Sequence, residues 1–288
     1  MNFSTKAKNL LNLKSLNLKK SKIPKFYKFT IEEIFKNKTK IMSELINNLS
    51  KKISIRSSFL LEDQNKSSMA GEFDGLANVK NSKQNINTGI KKLIKQYKVK
   101  TKSKKTLHKS EILFQNYVGN SILSGVVTNY CIKDGTDYYV INYDDTSSLT
   151  NTVTSGNKSG GRVINIFKKN FNGLRSVKFK KIIESIKEIE DKIGNKALDV
   201  EFALSEDNKV NILQIRPLST SKNWKSIQKD IFFKNLKFNQ KKLISINKKN
   251  KFFGDVIVYG LMPDWNPVEM IGYQPSILSY SIYEKLIT

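Results

Sequence analysis

Ala197-Leu-Asp-Val-Glu-Phe-Ala-Leu-Ser-Glu-Asp-Asn-Lys-Val-Asn-Ile-Leu-Gln-Ile-Arg-Pro-Leu218 decides how the chain is read. Two β-prone runs of alternating character flank the polar tetrad Ser205-Glu206-Asp207-Asn208, the pattern of a β-hairpin. Alternation sends successive side chains to opposite faces. Asp199, Glu201 and Ala203 therefore share one face of the first strand, and Val200, Phe202 and Leu204 share the other. On the second strand Gln214 and Arg216 fall together. An acidic pair beside a Gln and an Arg suits a cation held with a phosphate, since oxygen donors match Mg²⁺ and a guanidinium fork matches phosphoryl oxygens. From spacing alone, an ordinary surface hairpin with a structural ion pair fits equally well.

A second string is Ile53-Ser-Ile-Arg-Ser-Ser-Phe-Leu-Leu-Glu-Asp63, followed by Ser67-Ser-Met-Ala-Gly-Glu-Phe-Asp-Gly-Leu-Ala-Asn-Val79. A short strand delivers Arg56 and two hydroxyls into a loop of small residues, the kind that closes over a triphosphate. Together the two strings resemble the ATP-grasp nucleotide-binding domain of the phosphoenolpyruvate synthase and pyruvate phosphate dikinase family. There the hairpin reads Asp-Ile-Glu-Trp/Phe-Ala and then Leu-Gln-x-Arg-Pro. The resemblance implies that Arg56 and Arg216 act on nucleotide phosphates as the catalytic cations. It also implies that Ser68, Ala70 and Gly71 lie in the phosphate-covering loop, and that Glu201 and Gln214 hold Mg²⁺ beside ATP.

The resemblance extends along the chain with departures. Ser4-Thr-Lys-Ala-Lys-Asn-Leu10 stands where the family has a Gly-Gly-Lys loop. Lys6, Asn9 and Leu10 match, so Lys6 is an expected phosphate ligand, but Ser4 and Thr5 replace both glycines. Ile112-Leu-Phe-Gln-Asn-Tyr-Val118 resembles the family strand bordering adenine, which makes Gln115 an expected ATP contact. After Ser124-Gly-Val-Val-Thr128, Asn129-Tyr130 occupies the place of an expected phosphate-binding Arg and a Pro. Asp144 and Asp145 are open between a place near the metal and a turn. Met262-Pro-Asp-Trp-Asn-Pro-Val-Glu-Met-Ile-Gly272 resembles a segment of phosphoenolpyruvate-synthase-like proteins of surface-polysaccharide loci.

Local patterns fill in the rest. Leu10, Leu11 and Leu13 mark a short helix, and Pro24 starts an extended segment. Thr30-Ile-Glu-Glu33 is a capping-box pattern before an amphipathic helix reaching Leu49. A helix is expected around 86–97 and a charge run at 98–106. A hairpin of 124–128 with 138–143 turns at Lys133-Asp-Gly-Thr136. An amphipathic helix from Phe179 to Ile193 ends near Gly194. After Pro217 the chain reads as a basic, polar connector to about residue 250.

Composition sets the outer bounds. At 288 residues, 39% hydrophobic and 26% charged, the chain is long and apolar enough for a sizeable core. The net charge of +26 is spread along a Lys/Asn/Ile-rich background without a DNA- or RNA-binding pattern, so no specific nucleic-acid partner is expected. The single cysteine, Cys131, excludes an internal disulfide, and one Cys with one His, His108, argues against zinc. No apolar run approaches the ~20 residues of a membrane span, and no signal-peptide core is expected. The expected location is cytoplasmic.

These readings give an α+β, ATP-grasp fold of two lobes with the nucleotide between them: an N-terminal lobe at 1–110, a second lobe at 111–220, and a connector with C-terminal extension at 221–288. The expected activity is phosphoryl transfer from Mg·ATP. The resemblance implies an acceptor histidine on a swivelling domain, and no such domain is written in this chain. Three explanations are thus open: a truncated gene product in which that domain is missing, a split protein whose separate chain carries the phosphohistidine domain, and a stand-alone kinase of a small acceptor such as a glutamine-type amide. A non-catalytic nucleotide-binding module is the reading from another class.

Overall fold

The computed structural model describes residues 3–60, 73–146, 162–194, 196–218, 229–249, 271–272 and 274–287. Two compact units divide the chain, 1–227 and 228–288.

In the first unit the expected hairpin forms from β9 (Leu198–Ser205) and β10 (Val210–Pro217), with Asn208 at φ 58° in the turn. Asn tolerates this left-handed conformation better than most residues. These strands lie within a six-stranded sheet whose order is β1-β10-β9-β6-β7-β8. Its other members are β1 (Ser21–Lys22), β6 (Ser121–Thr128), β7 (Tyr138–Asp144) and β8 (Arg162–Phe167). One face is covered by α5 (Val177–Ile193), whose Ile182, Ile183, Ile186, Ile189 and Ile193 pack on Val200, Phe202, Leu204, Ile212 and Ile215. Each such side chain taken out of water contributes about 1.5–3 kcal/mol. Gly194 ends α5 at φ 90°, a conformation that costs glycine nothing.

A four-stranded antiparallel sheet has the order β2-β5-β3-β4, from β2 (Phe26–Thr30), β3 (Lys52–Ser58), β4 (Leu76–Lys80) and β5 (Glu111–Asn116). Its apolar face packs under α2 (Ile31–Asn48), α3 (Lys83–Lys100) and α4 (Lys104–Lys109), burying Ile53, Ile55, Ile112 and Phe114. The capping box forms reciprocally: Thr30 Oγ1 accepts from the Glu33 amide at 3.2 Å, and Glu33 Oε2 accepts from the Thr30 amide at 2.7 Å. The charge run at 98–106 is partly helical, and His108 is exposed on α4.

The helix α1 (Lys6–Lys14) touches both sheets, with Leu13 in the core of the larger one and Ala7 and Leu10 against Leu113 of the smaller. Each sheet is thus backed by helices on one face, and their polar faces meet where Arg56 on β3 reaches Glu201 on β9. This is the α+β arrangement expected from the motifs, with two sheets that meet at their polar faces. Sheet membership interleaves the lobes, because β5 at 111–116 belongs to the smaller sheet while β1 pairs with β10.

In the second unit, α6 (Lys229–Lys249) occupies part of the stretch read as a polar connector, and α7 spans Ile277–Ile287. The connector reading overlooked that 229–249 holds neither Gly nor Pro and is rich in good helix formers. Among the described residues no helix is long and apolar enough to cross a membrane. The 262–270 part of the tail motif, the 147–161 segment and Glu62 through Gly71 lie outside the described residues.

Gly125 shows how tightly β6 and β7 approach. A Cβ there would stand 2.1 Å from the Asn142 carbonyl oxygen and 2.8 Å from Tyr143 Cα. Both are backbone atoms of the paired strand and cannot rotate away. Gly125→Ala is expected to cost about 2 kcal/mol or more, read as a lower urea midpoint with an unchanged slope.

Candidate functional site

The site begins with a β-bulge. On β10, Val210 and Ile212 point into the core, and strict alternation would send Gln214 after them. The register slips instead: Ile212 pairs with Phe202, and Gln214 then pairs with Glu201, leaving Leu213 as the extra residue. A bulge of this kind re-aims the side chains that follow it. Ile215 returns to the core opposite Val200, while Gln214 and Arg216 emerge on the face of Glu201 and Asp199.

Directly opposite residues on paired strands interact most strongly. Arg216 donates from Nε and Nη2 to Oδ2 of Asp199 at 2.9 and 2.6 Å. Glu201 Oε2 accepts from Arg56 Nη1 of the other sheet at 2.8 Å. Both side chains of that pair are largely buried, 19% and 14% exposed. Lys6, at the start of α1, lies close enough to act on the Glu201 charge, and its Nζ donates to Ser57 Oγ at 3.4 Å. Three cations thus surround two carboxylates, a local excess of one positive charge.

These charges set the protonation of the acids. Burial pushes the Glu201 carboxyl up, but Arg56, Lys6 and Arg216 together outweigh it and hold the group below its usual range. Asp199 is left above its usual value, because burial outweighs Arg216 and the Glu201 charge adds to the rise.

The structure therefore brings Lys6, Arg56, Glu201, Gln214 and Arg216 to one place and adds Asp199. Gln115 lies on β5 opposite Ser54, on the strand face of Leu113 rather than that of the Phe114 core. Its Nε2 is buried without a hydrogen-bond partner among the described residues. Ser68, Ala70 and Gly71 lie outside the described residues. Asp144 serves a turn, its Oδ1 accepting from the Thr146 amide and hydroxyl at 2.8 and 2.9 Å, and Asp145 pairs with Arg162 at 3.0 Å.

Asn129, in the place of the expected Arg, is fully buried. It donates to Glu190 Oε1 at 2.7 Å and to the Lys196 carbonyl at 2.9 Å, and accepts from the Leu198 amide at 2.6 Å. Glu190 also accepts from Tyr139 at 2.6 Å and Lys168 at 2.5 Å. Asn129 thereby anchors the first residue of the acid-bearing strand. Sequence reading missed this role, as it missed Thr5 and Glu111, because each depends on residues far away in the chain.

Magnesium fits the donor set. Glu201 and Gln214 stand opposite each other with one carboxylate and one amide to offer, and Mg²⁺ commonly takes one or two carboxylates together with waters and substrate phosphates. Among the described residues no group of three or more His, Cys, Asp and Glu would hold a metal.

No protein-family model matches the sequence. No curated protein matches it either. Solved structures with a similar chain arrangement include a D-alanine-D-alanine ligase from Helicobacter pylori, 13% identical with a TM-score of 0.43, matched over 77% of this chain and 57% of that one. An L-amino acid ligase from Bacillus licheniformis is 11% identical with a TM-score of 0.44, over 74% of this chain and 42% of that one. N5-carboxyaminoimidazole synthetase from Staphylococcus aureus, complexed with ADP, is 14% identical with a TM-score of 0.39, over 74% and 43%. The chain spans about half the length of these structures.

The Arg56–Glu201 pair makes stability depend on pH. A carboxyl held below its unfolded pKa stabilises the fold above that pKa and loses the contribution as pH falls through the folded value. In Arg56→Met the buried Glu201 loses its closest cation, and its pKa rises. The variant is expected to be about 3 kcal/mol less stable at pH 7. Urea unfolding from pH 7 to pH 3 is expected to show the gap to wild type closing as Glu201 becomes protonated in both.

Proposed function

We propose that the chain binds Mg·ATP between its two sheets and uses it as a phosphoryl donor. The observation that carries this is the meeting of Arg56 from one sheet with Glu201 from the other, with Lys6 and Arg216 around the same carboxylates. A protein contributes to phosphoryl transfer almost entirely by positioning and charge stabilisation. Arg56, Arg216 and Lys6 neutralise phosphate oxygens, and Arg56 and Arg216 are the residues assigned to the transition state. Glu201 and Gln214 hold the magnesium, which when bound screens the β- and γ-phosphoryl charge. The amide of Gln115 offers a buried donor to the adenine, and Ser68, Ala70 and Gly71 belong to the loop that covers the phosphates.

The sequence motifs support the finer reading that this is the nucleotide half of a phosphoenolpyruvate-synthase-like phosphotransferase. The acceptor is then a histidine on a swivelling domain outside residues 1–288. A small acceptor bound directly beside the γ-phosphate uses the same donor half. The lobes proposed at 1–110 and 111–220 supply most of the two sides of the cleft, with β5 belonging to the smaller sheet and β1 to the larger, and 221–288 is an extension.

Titration calorimetry with Mg·ATP, with nucleotide products separated by chromatography in the same samples, tests the reading. Wild type is expected to bind in the micromolar range, and Arg216→Ala to bind about 10- to 100-fold more weakly, the worth of one charge-assisted hydrogen bond. Glu201→Gln is expected to abolish the strengthening of ATP binding by Mg²⁺. AMP as product supports the synthase-type reaction, and ADP a direct transfer to a small acceptor. Absence of nucleotide binding by folded wild type overturns the proposal.

A further inference from the structure

Glu111 is a buried carboxylate outside the cluster of Arg56, Glu201 and Arg216, yet it is among the most heavily engaged acids in the molecule. Its side chain is 5% exposed. Oε2 accepts from the Thr5 hydroxyl at 2.6 Å and from Ser58 Oγ at 3.4 Å, and Oε1 accepts from the Lys28 ammonium. Its backbone carbonyl accepts from the Tyr97 hydroxyl at 2.8 Å, and that same hydroxyl accepts from the Ser58 amide at 2.9 Å. Four elements therefore converge on one residue: α1, β2, β3 and α3.

The consequence falls on α1. Thr5 is its N-cap, the hydroxyl accepting from the Lys8 amide at 3.4 Å while donating to Glu111. The Ala7 amide donates to Ser58 Oγ at 3.0 Å. On the other side Asn9 donates to the Ile215 carbonyl of β10 at 3.2 Å, and its Oδ1 accepts from the Ser4 amide at 2.8 Å. The first turn of α1 is thus tied to both sheets at once, and Lys6 opens that turn, directly after Thr5. Thr5, the residue before Lys6, is locked by a charge-assisted bond to a buried acid.

We propose that Glu111 is a positioning residue of the nucleotide site, acting through Thr5 to fix the first turn of α1 and with it the Lys6 ammonium beside Glu201. The proposal rests on the ATP reading for its functional consequence. A carboxylate accepting from a hydroxyl forms one of the stronger hydrogen bonds available to a protein, and removing one partner leaves a buried acceptor unsatisfied. Lys28 keeps the Glu111 charge paired, so the second oxygen is left to hold the helix.

The test uses the full chain and four variants: Thr5→Val, Thr5→Ser, Lys6→Ala, and the charge-balanced pair Glu111→Gln with Lys28→Met. Lys6 reactivity is read first, without nucleotide, by competitive acetylation and peptide mass spectrometry. Thr5→Val and the charge-balanced pair are expected to raise Lys6 labelling severalfold, and Thr5→Ser to restore the wild-type rate. Mg·ATP affinity is read second. Thr5→Val is expected to weaken binding about tenfold, and Lys6→Ala is expected to add little in that background although it weakens binding on its own. Such non-additivity marks residues that act as one unit. A purely structural Thr5 would lower stability and leave the cost of Lys6→Ala the same in both backgrounds, and that result overturns the proposal, as does unchanged Lys6 labelling. Should Thr5→Val fail to fold, Glu111→Asp keeps both charges paired while withdrawing the carboxylate by one methylene, and the same outcomes apply. If labelling shifts as expected but wild type binds no ATP, the positioning stands and the nucleotide reading falls.

Discussion

The structure turns on the ion pair between Arg56 and Glu201. It joins two sheets whose main apolar faces belong to separate cores, and it is supported there by α1, which packs Leu13 in the larger core and Ala7 and Leu10 on Leu113 of the smaller sheet. A pair this deep is costly to desolvate, and it persists because neighbours share the load: Lys6 lies near the same acid, and Arg216 is engaged by Asp199 one residue pair away. The surrounding cations hold the Glu201 carboxyl below its usual range, whereas burial and the Glu201 charge leave Asp199 above its own.

The bulge at Leu213 reconciles the core with the site. The hairpin must supply Phe202, Ile212 and Ile215 to the contact with α5 and must also present Asp199, Glu201, Gln214 and Arg216 together on the other side. Strict alternation on β10 would have sacrificed one of these demands. One extra residue in the strand meets both, at the expense of a locally broken ladder.

Where the chain departs from the motif it resembles, the departing residues have taken up structural work. Asn129 closes a buried network with Glu190 and the start of β9, and Thr5 caps α1 while binding Glu111. In both places the side chain holds the scaffold.

The hairpin, its two faces, the capped α2, the α5 stripe and the residue types of the site were legible in the sequence, because periodicity, caps and turn residues act over a few neighbours in the chain. Arg56, Glu201, Gln214 and Arg216 could be singled out because the strings that hold them resemble a nucleotide-binding motif; spacing alone left an ordinary ion-paired hairpin equally open. The helix at 229–249 was not read, since lysine and asparagine obscured a weak apolar periodicity. What only the tertiary structure decided was which of these groups meet. Arg56 and Glu201 are separated by 145 residues, and Thr5 and Glu111 by 106. Their pairing depends on how two independently formed sheets and one helix pack, a property of three-dimensional distance that no local pattern encodes.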